Sequence, residues 1–257
     1  MSRLPRVNIL GVGISAITMP QVLDHISAWI DHRAREYVSV CTVHTVMECQ
    51  KDVVMRRAVN SAALATPDGM PLVWLGRARS GVKVSRVYGP DLMLALCELS
   101  IERGYSHYFY GGAEGVPALL AARLQKRFPG LNVTGTYSPP YRPLAAAEDA
   151  HIVEQINRAA PDLVWVGLGT PQQDLWMASH RDRLSAPVLI GVGAAFDFHT
   201  GRIPQAPKWM QNNGLEWLFR LVQEPRRLWY RYLVYNPLFV GLVLLQALGL
   251  KRYSLER

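Results

Sequence analysis

Leu163-Val-Trp-Val-Gly-Leu-Gly-Thr-Pro-Gln-Gln-Asp-Leu-Trp176 is the stretch on which the reading of this chain turns. Leu163 to Val166 is a short apolar run that fits a buried strand. Gly167 and Gly169 allow a tight turn. Thr170 is placed to cap a helix and Pro171 to be its first residue, where a missing N–H costs nothing. A helix N-terminus directly after a strand suits a phosphate or a sugar hydroxyl. Gln172 and Gln173 then present amides from the first turn.

The same cadence recurs on both sides of this stretch. Short apolar runs stand at Val7–Val12, Tyr37–Val43, Ala62–Thr66, His107–Tyr110, Leu131–Thr136 and Val188–Val192. Helical periodicity lies between most of them. It is clear from Gln21 to Ala34, where Val22, Ile26, Trp29 and Ile30 share a face, and from Gly115 to Phe128, with Leu119, Leu120 and Leu124. Such alternation predicts an α/β fold with a mainly parallel sheet and helices on both faces. Several runs end in glycine, as in Gly11-Val-Gly13, Gly111-Gly112 and Gly191-Val-Gly193. That is where an open α/β sheet brings backbone up to a ligand, although plain turns use glycine too. Ser138-Pro-Pro-Tyr-Arg-Pro143 reads as a loop.

Composition narrows the class. The chain has 257 residues, 49% apolar and 19% charged, which excludes a disordered chain and a coiled coil. Cys41, Cys49 and Cys97 form no C-x-x-C pair, which argues against a disulfide scaffold and a cysteine zinc site and fits a reducing compartment. The N-terminal MSRLPRVNIL has no long apolar segment, so no signal peptide is expected. The net charge of +8 suggests an anionic partner, and it is concentrated late: Arg202 to Arg257 holds nine Lys/Arg against three acids.

After residue 204 aromatic and basic residues interleave, and an apolar run from Pro237 to Leu250 follows, closed by Lys251-Arg252. The chain is therefore divided into a core, 1–204, and a helical C-terminal appendage, 205–257. Counted from Pro237 the apolar run is about 14 residues, too short to span a bilayer as a helix, and its basic and aromatic flanks fit a membrane surface.

Several positions, most of them at strand ends, carry candidate chemistry. Thr42 and His44 follow the second run. Asp68, in Thr66-Pro-Asp68-Gly69, is either a helix N-cap or a general base aimed into the sheet crevice. Arg86 is either a surface arginine or a phosphate clamp. Asp197 and His199 follow the last run without a third metal ligand at a clear spacing, and the chain lacks an Asp-x-Asp. Gly11-Val-Gly-Ile-Ser-Ala16 fits a G-x-G-x-x-A fingerprint, but no acid follows where a ribose would need one, which weighs against an NAD-binding oxidoreductase. The other rival is a non-catalytic nucleic-acid-binding module using the basic aromatic tail, for which the apolar run has no purpose.

Taken together, the blocks Gly167–Trp176, Gly191-Val-Gly-Ala-Ala-Phe-Asp-Phe198, Gly214-Leu-Glu-Trp-Leu-Phe-Arg220, Glu224-Pro-Arg-Arg227 and Arg231-Tyr232 resemble the WecG/TagA/CpsF glycosyltransferases. Pro67-Asp-Gly-Met70, Arg86-Val-Tyr-Gly-Pro-Asp-Leu92 and Tyr108-Phe-Tyr-Gly-Gly112 support the resemblance, which runs from about Val7 to Tyr232. It implies a Rossmann-like fold and an inverting, metal-independent transfer from a UDP-sugar to a sugar on undecaprenyl diphosphate, without a cofactor. It also implies a peripheral enzyme on the cytoplasmic face of the inner membrane, making surface polysaccharide and not binding nucleic acid; the oligomeric state stays open. By position it makes Asp68 the catalytic base, puts Thr42 and Arg86 in the pocket, and sets Gln173 beside the sugar or acceptor. Asp197 falls at the nucleotide end, and Arg220 and Arg227 come from the appendage. The chain departs from the family in having His44 for the usual Asn, Pro67 before the Asp-Gly, Gln205 before Ala-Pro, and Tyr230 before Arg231. His44 offers different donors and acceptors from Asn, so it bears on sugar choice.

Overall fold

The computed structural model describes residues 4–255. Eight strands occur among them: β1 Arg6–Ile9, β2 Val12–Ser15, β3 Glu36–Cys41, β4 Leu64–Pro67, β5 Ser106–Gly111, β6 Asn132–Tyr137, β7 Leu163–Gly167 and β8 Val188–Gly191. β3 to β8 form one sheet in the order β4-β3-β8-β7-β5-β6. β3 runs parallel to β8, β8 to β7, β7 to β5 and β5 to β6. Helices follow the strands, and the sheet interior is apolar: Val164, Trp165, Val166, Leu189 and Ile190 are fully buried. This is the Rossmann-like α/β architecture that alternation predicts.

One apolar run departs from that reading. Val7–Val12 is no sheet strand but part of an antiparallel hairpin, β1 with β2, with Ile9 opposite Val12. Leu10 and Gly11 both have positive φ, the backbone of a tight hairpin turn. The G-x-G-x-x-A match therefore lies in a hairpin and opens no helix, which removes the structural context a dinucleotide site needs.

The chain divides into two compact units. The first holds Met1–Thr18, Val40–Tyr88 and Pro204–Arg257; the second holds Met19–Ser39 and Gly89–Ile203.

In the first unit Asn60 ties the hairpin down, donating to the Gly11 carbonyl at 2.9 Å and accepting from the Gly13 N–H at 2.9 Å. Its C-terminal helix differs from the sequence expectation. Helix Pro225–Trp229 runs through a π-helical turn, Tyr230–Val234, into helix Tyr235–Ala247. The whole, Pro225–Ala247, has 23 residues and is long and apolar enough to cross a membrane by length and composition. The apolar run counted from Pro237 covers only the later part of this helix, which begins at Pro225. Pro237 lies in the first turn after the π segment, whose wider winding accommodates a residue without an N–H. Leu228, Tyr232, Tyr235 and Phe239 are buried, while Leu233, Val240, Leu244 and Leu248 are exposed.

In the second unit helix Met19–Asp31 buries Val22, Ile26 and Ile30. Helix Val116–Arg127 buries Leu120 and Leu124 but leaves Leu119 exposed. The strand-end glycines here answer to packing. A Cβ on Gly167 would lie 2.8 Å from the Phe196 ring, and one on Gly191 would lie 2.6 Å from Met177 Cε.

Candidate active site

In the first unit Asp68 follows β4 at the sheet's end. Its N–H bonds the Cys41 carbonyl at 2.9 Å, which fixes the chain as it leaves the strand. It is no N-cap: Gly69 caps helix Met70–Ser80, and no side chain supplies a capping bond. The Asp68 carboxylate instead accepts from Arg86 Nη2 at 3.0 Å, and Arg86 Nε donates to the Asp68 carbonyl at 2.6 Å. Arg86 thus grips the residue by both main chain and side chain, and it is not a surface arginine.

The same Nη2 donates to Glu216 Oε2 at 2.6 Å. Tyr88 Oη donates to Glu216 Oε1 at 3.2 Å, and the Arg86 guanidinium lies 4.1 Å from the centre of the Tyr88 ring. Burial works against the charge on Arg86, but Asp68 and Glu216 outweigh it and hold the guanidinium well above its ordinary range. Burial, then the charges of Glu216 and Asp68, push the Tyr88 phenol far above its usual range, so it stays a neutral donor.

Glu216 opens helix Glu216–Gln223, and Gly214 lets that helix come in close. Gly214 has φ +71°, and a Cβ there would meet Trp74 Cη2 at 3.0 Å and Met70 Cβ at 3.3 Å. A side chain would push the helix off the one that follows Asp68.

Thr42 and His44 come from the turn after β3. Thr42 caps helix Val43–Lys51 in a reciprocal box with Thr45: the Thr42 hydroxyl accepts from the Thr45 N–H at 3.4 Å, and the Thr45 hydroxyl accepts from the Thr42 N–H at 3.1 Å. A Cβ on Gly69 would lie 3.6 Å from the Val43 nitrogen, so this helix N-terminus packs beside the Asp68-Gly69 turn. His44 stacks on Tyr235 at 5.8 Å, and its Nδ1 lies 3.8 Å from Glu48 Oε1. Tyr235 donates to Glu48 at 2.7 Å and accepts from Lys51.

Arg220 and Arg227 both turn to Glu224, at 3.9 Å and 2.6 Å. Arg220 is largely covered and Arg227 is exposed. Arg231 belongs with them. Burial presses its guanidinium below the ordinary value, and the charges of Arg220 and Arg227 add to that. The sequence marks Arg231 only as part of the Arg231-Tyr232 motif, with no site role.

Gln173 and Asp197 belong to the second unit. Gln173 is buried at 3% exposure, and its Oε1 accepts from the Gly169 N–H at 3.2 Å, folding the turn back on the helix. Thr170 is not the expected cap of helix Gln172–His180. Pro171 holds that position, and the Thr170 hydroxyl donates to Asp174 Oδ2 at 3.0 Å. Ser39 Oγ donates to Asp174 Oδ1 at 2.5 Å. Burial raises the Asp174 carboxyl to about 6, against the pull of Ser39 and Thr170. Asp197 lies on the short helix Ala195–His199, 3.3 Å from Arg202 Nε, and His199 Nε2 lies 3.1 Å from the Pro90 carbonyl. Among the described residues no group of three His, Cys, Asp or Glu is arranged to hold a metal ion.

Residues 7–253 match the model of the glycosyl transferase WecG/TagA/CpsF family. The chain is 28% identical over 218 residues to an N-acetylglucosaminyldiphosphoundecaprenol N-acetyl-beta-D-mannosaminyltransferase of Bacillus spizizenii, covering 85% of this chain and 82% of that protein. It is also 28% identical over 223 residues to the protein of the same name in Bacillus subtilis, covering 84% and 85%. The chain belongs to the WecG/TagA/CpsF family and is a glycosyltransferase.

Proposed function

We propose that the protein transfers a sugar from a UDP-sugar to a sugar carried on undecaprenyl diphosphate, with inversion and without a metal, in the synthesis of a surface polysaccharide. The observation that carries this reading is the Asp68 carboxylate, held at a strand end by Arg86 beside the N-terminus of helix Val43–Lys51. The activity for which the two Bacillus relatives are named, a hexosamine transfer to a diphosphoundecaprenol-linked sugar, supports the acceptor class.

In this account Asp68 takes the proton of the acceptor hydroxyl as that oxygen attacks the anomeric carbon. The bond from that carbon to the UDP oxygen breaks in the same displacement, which inverts the centre. The diphosphate that leaves is met by Arg220 and Arg227 and by backbone N–H groups at helix N-termini. Arg86 and Thr42 line the pocket and His44 faces the sugar. From the second unit Gln173 holds the sugar or acceptor, and Asp197 serves the nucleotide end.

The segment 205–257 acts as an appendage that works at the membrane surface, on the cytoplasmic face. The exposed Leu233, Val240, Leu244 and Leu248, flanked by Trp229, Arg226, Lys251 and Arg252, support a helix lying in the interface. Each basic residue near anionic lipid contributes about 1 kcal/mol.

The test is a panel of UDP-sugars offered with a lipid-diphosphate-linked acceptor, with released UDP as the readout. UDP release that depends on acceptor and survives excess EDTA is expected. A strict requirement for magnesium or manganese would overturn the arginine-based account of the leaving group.

A further inference from the structure

We propose that Glu216 is a positioning residue for glycosyl transfer: by sharing the Arg86 guanidinium it keeps Asp68 both aimed and basic. The inference rests on the reading of Asp68 as the base and adds to it a residue some 150 positions away in sequence. Arg86 Nη2 stands between two carboxylates, 3.0 Å from Asp68 Oδ1 and 2.6 Å from Glu216 Oε2.

A lone arginine at 3.0 Å is a poor neighbour for a general base. It stabilises the carboxylate and so weakens its pull on a proton. A second carboxylate on the same nitrogen divides that attraction, and its own charge favours protonation of Asp68. Glu216 takes the shorter contact, so it draws the larger share of Arg86. Tyr88, a neutral phenol, fixes the other Glu216 oxygen at 3.2 Å and keeps the carboxylate from swinging away. The side chains of Asp68, Arg86 and Glu216 are each less than one-fifth exposed, so solvent screens these charges only in part.

The charged and titratable groups set around Asp68 come from three elements. Arg86 and Tyr88 come from the segment before residue 89. Glu216, with Arg220 one turn on, comes from helix Glu216–Gln223. His44 and Glu48 come from helix Val43–Lys51, whose N-terminus packs beside Gly69. Among the described residues, Glu216 alone places a second negative charge on Arg86. Because Glu216 lies beyond residue 204, the C-terminal segment supplies part of the base's environment. Its seating against helix Met70–Ser80 at Gly214 then sets how basic Asp68 is.

Glu216→Gln keeps the shape and removes the charge. Arg86 then acts on Asp68 alone, so the acid limb of the kcat/KM profile should move down by about one pH unit. A weaker base should also lower kcat about tenfold, while UDP binding holds. Glu216→Asp keeps the charge, so its limb should stay within about 0.3 pH unit of wild type and most of the rate should return. A Gln variant whose limb and kcat match wild type would overturn the inference, as would Gln and Asp variants that behave alike. Should the Gln variant fail to fold, as judged by its melting curve, the Asp variant decides alone: a limb displaced by a full unit overturns the proposal. A wild-type enzyme that releases no UDP with any donor removes the underlying reading instead, so the two failures are distinct.

Discussion

Asp68 and Asp174 are both buried, at 9% and 1% exposure, yet their surroundings are opposite. Asp68 faces a guanidinium that a second carboxylate also claims. Asp174 faces the hydroxyls of Ser39 and Thr170 and its own backbone N–H. A cation keeps a buried carboxylate charged, and a second carboxylate on that cation keeps it basic. Hydroxyls satisfy its oxygens without repaying the cost of burying its charge, and the carboxyl rises to about 6. The first arrangement fits a group that must exchange a proton with a substrate. The second fits a pin, here joining β3 to the turn that carries Gln173.

The largest effect is expected where the first arrangement is broken. Asp68→Asn keeps an oxygen for Arg86 but cannot take a proton, so turnover should fall about 10²–10⁴-fold with the melting curve in place. Near-wild-type turnover would leave Asp68 a structural residue.

Arg220→Ala with Arg227→Ala should lower turnover by about tenfold or more while liposome binding changes little, since these charges are assigned to the departing diphosphate. Lys251→Ala with Arg252→Ala should do the reverse, since they flank the apolar helix. If both pairs move both readouts alike, the segment is an anchor only.

Asp174→Ala should cost roughly 2–3 kcal/mol in urea unfolding, because it takes a partner from the buried Ser39 hydroxyl and the half-buried Thr170 hydroxyl and leaves a cavity. The pH dependence sharpens the contrast. The folded carboxyl sits at about 6 against an ordinary 3.8, so the folded state binds more protons than the unfolded one between these values. Asp174 therefore favours folding at low pH, and this contribution is lost as pH rises from about 4 to about 6. Asp174→Asn should flatten that part of the stability profile; an unchanged slope would mean another group sets it.

Much of the sheet was legible because each buried parallel strand is a short apolar run followed by a helical period. The hairpin was not, since hydropathy cannot see that Leu10 takes positive φ. The long C-terminal helix was hidden because Pro237 lies inside it, in the first turn after the π segment. Asp68 could be named from its strand-end position and Arg86 as a phosphate clamp, but not their ion pair. Glu216 lies 130 residues from Arg86, and one signal was available: it is one of three acids in a strongly basic segment. Thr170 was misread because a capping hydroxyl and a carboxylate-binding hydroxyl look the same until Asp174 is seen one turn away.

The most direct test measures turnover and melting temperature side by side for Asp68→Asn and Asp174→Ala. A crossed result is expected. Asp68→Asn should lose about 10²-fold or more in turnover and keep its melting temperature, while Asp174→Ala should melt several degrees lower and keep turnover within about tenfold. If Asp68→Asn turns over like wild type, or if both variants lose turnover only as far as they lose stability, Asp68 is not the base.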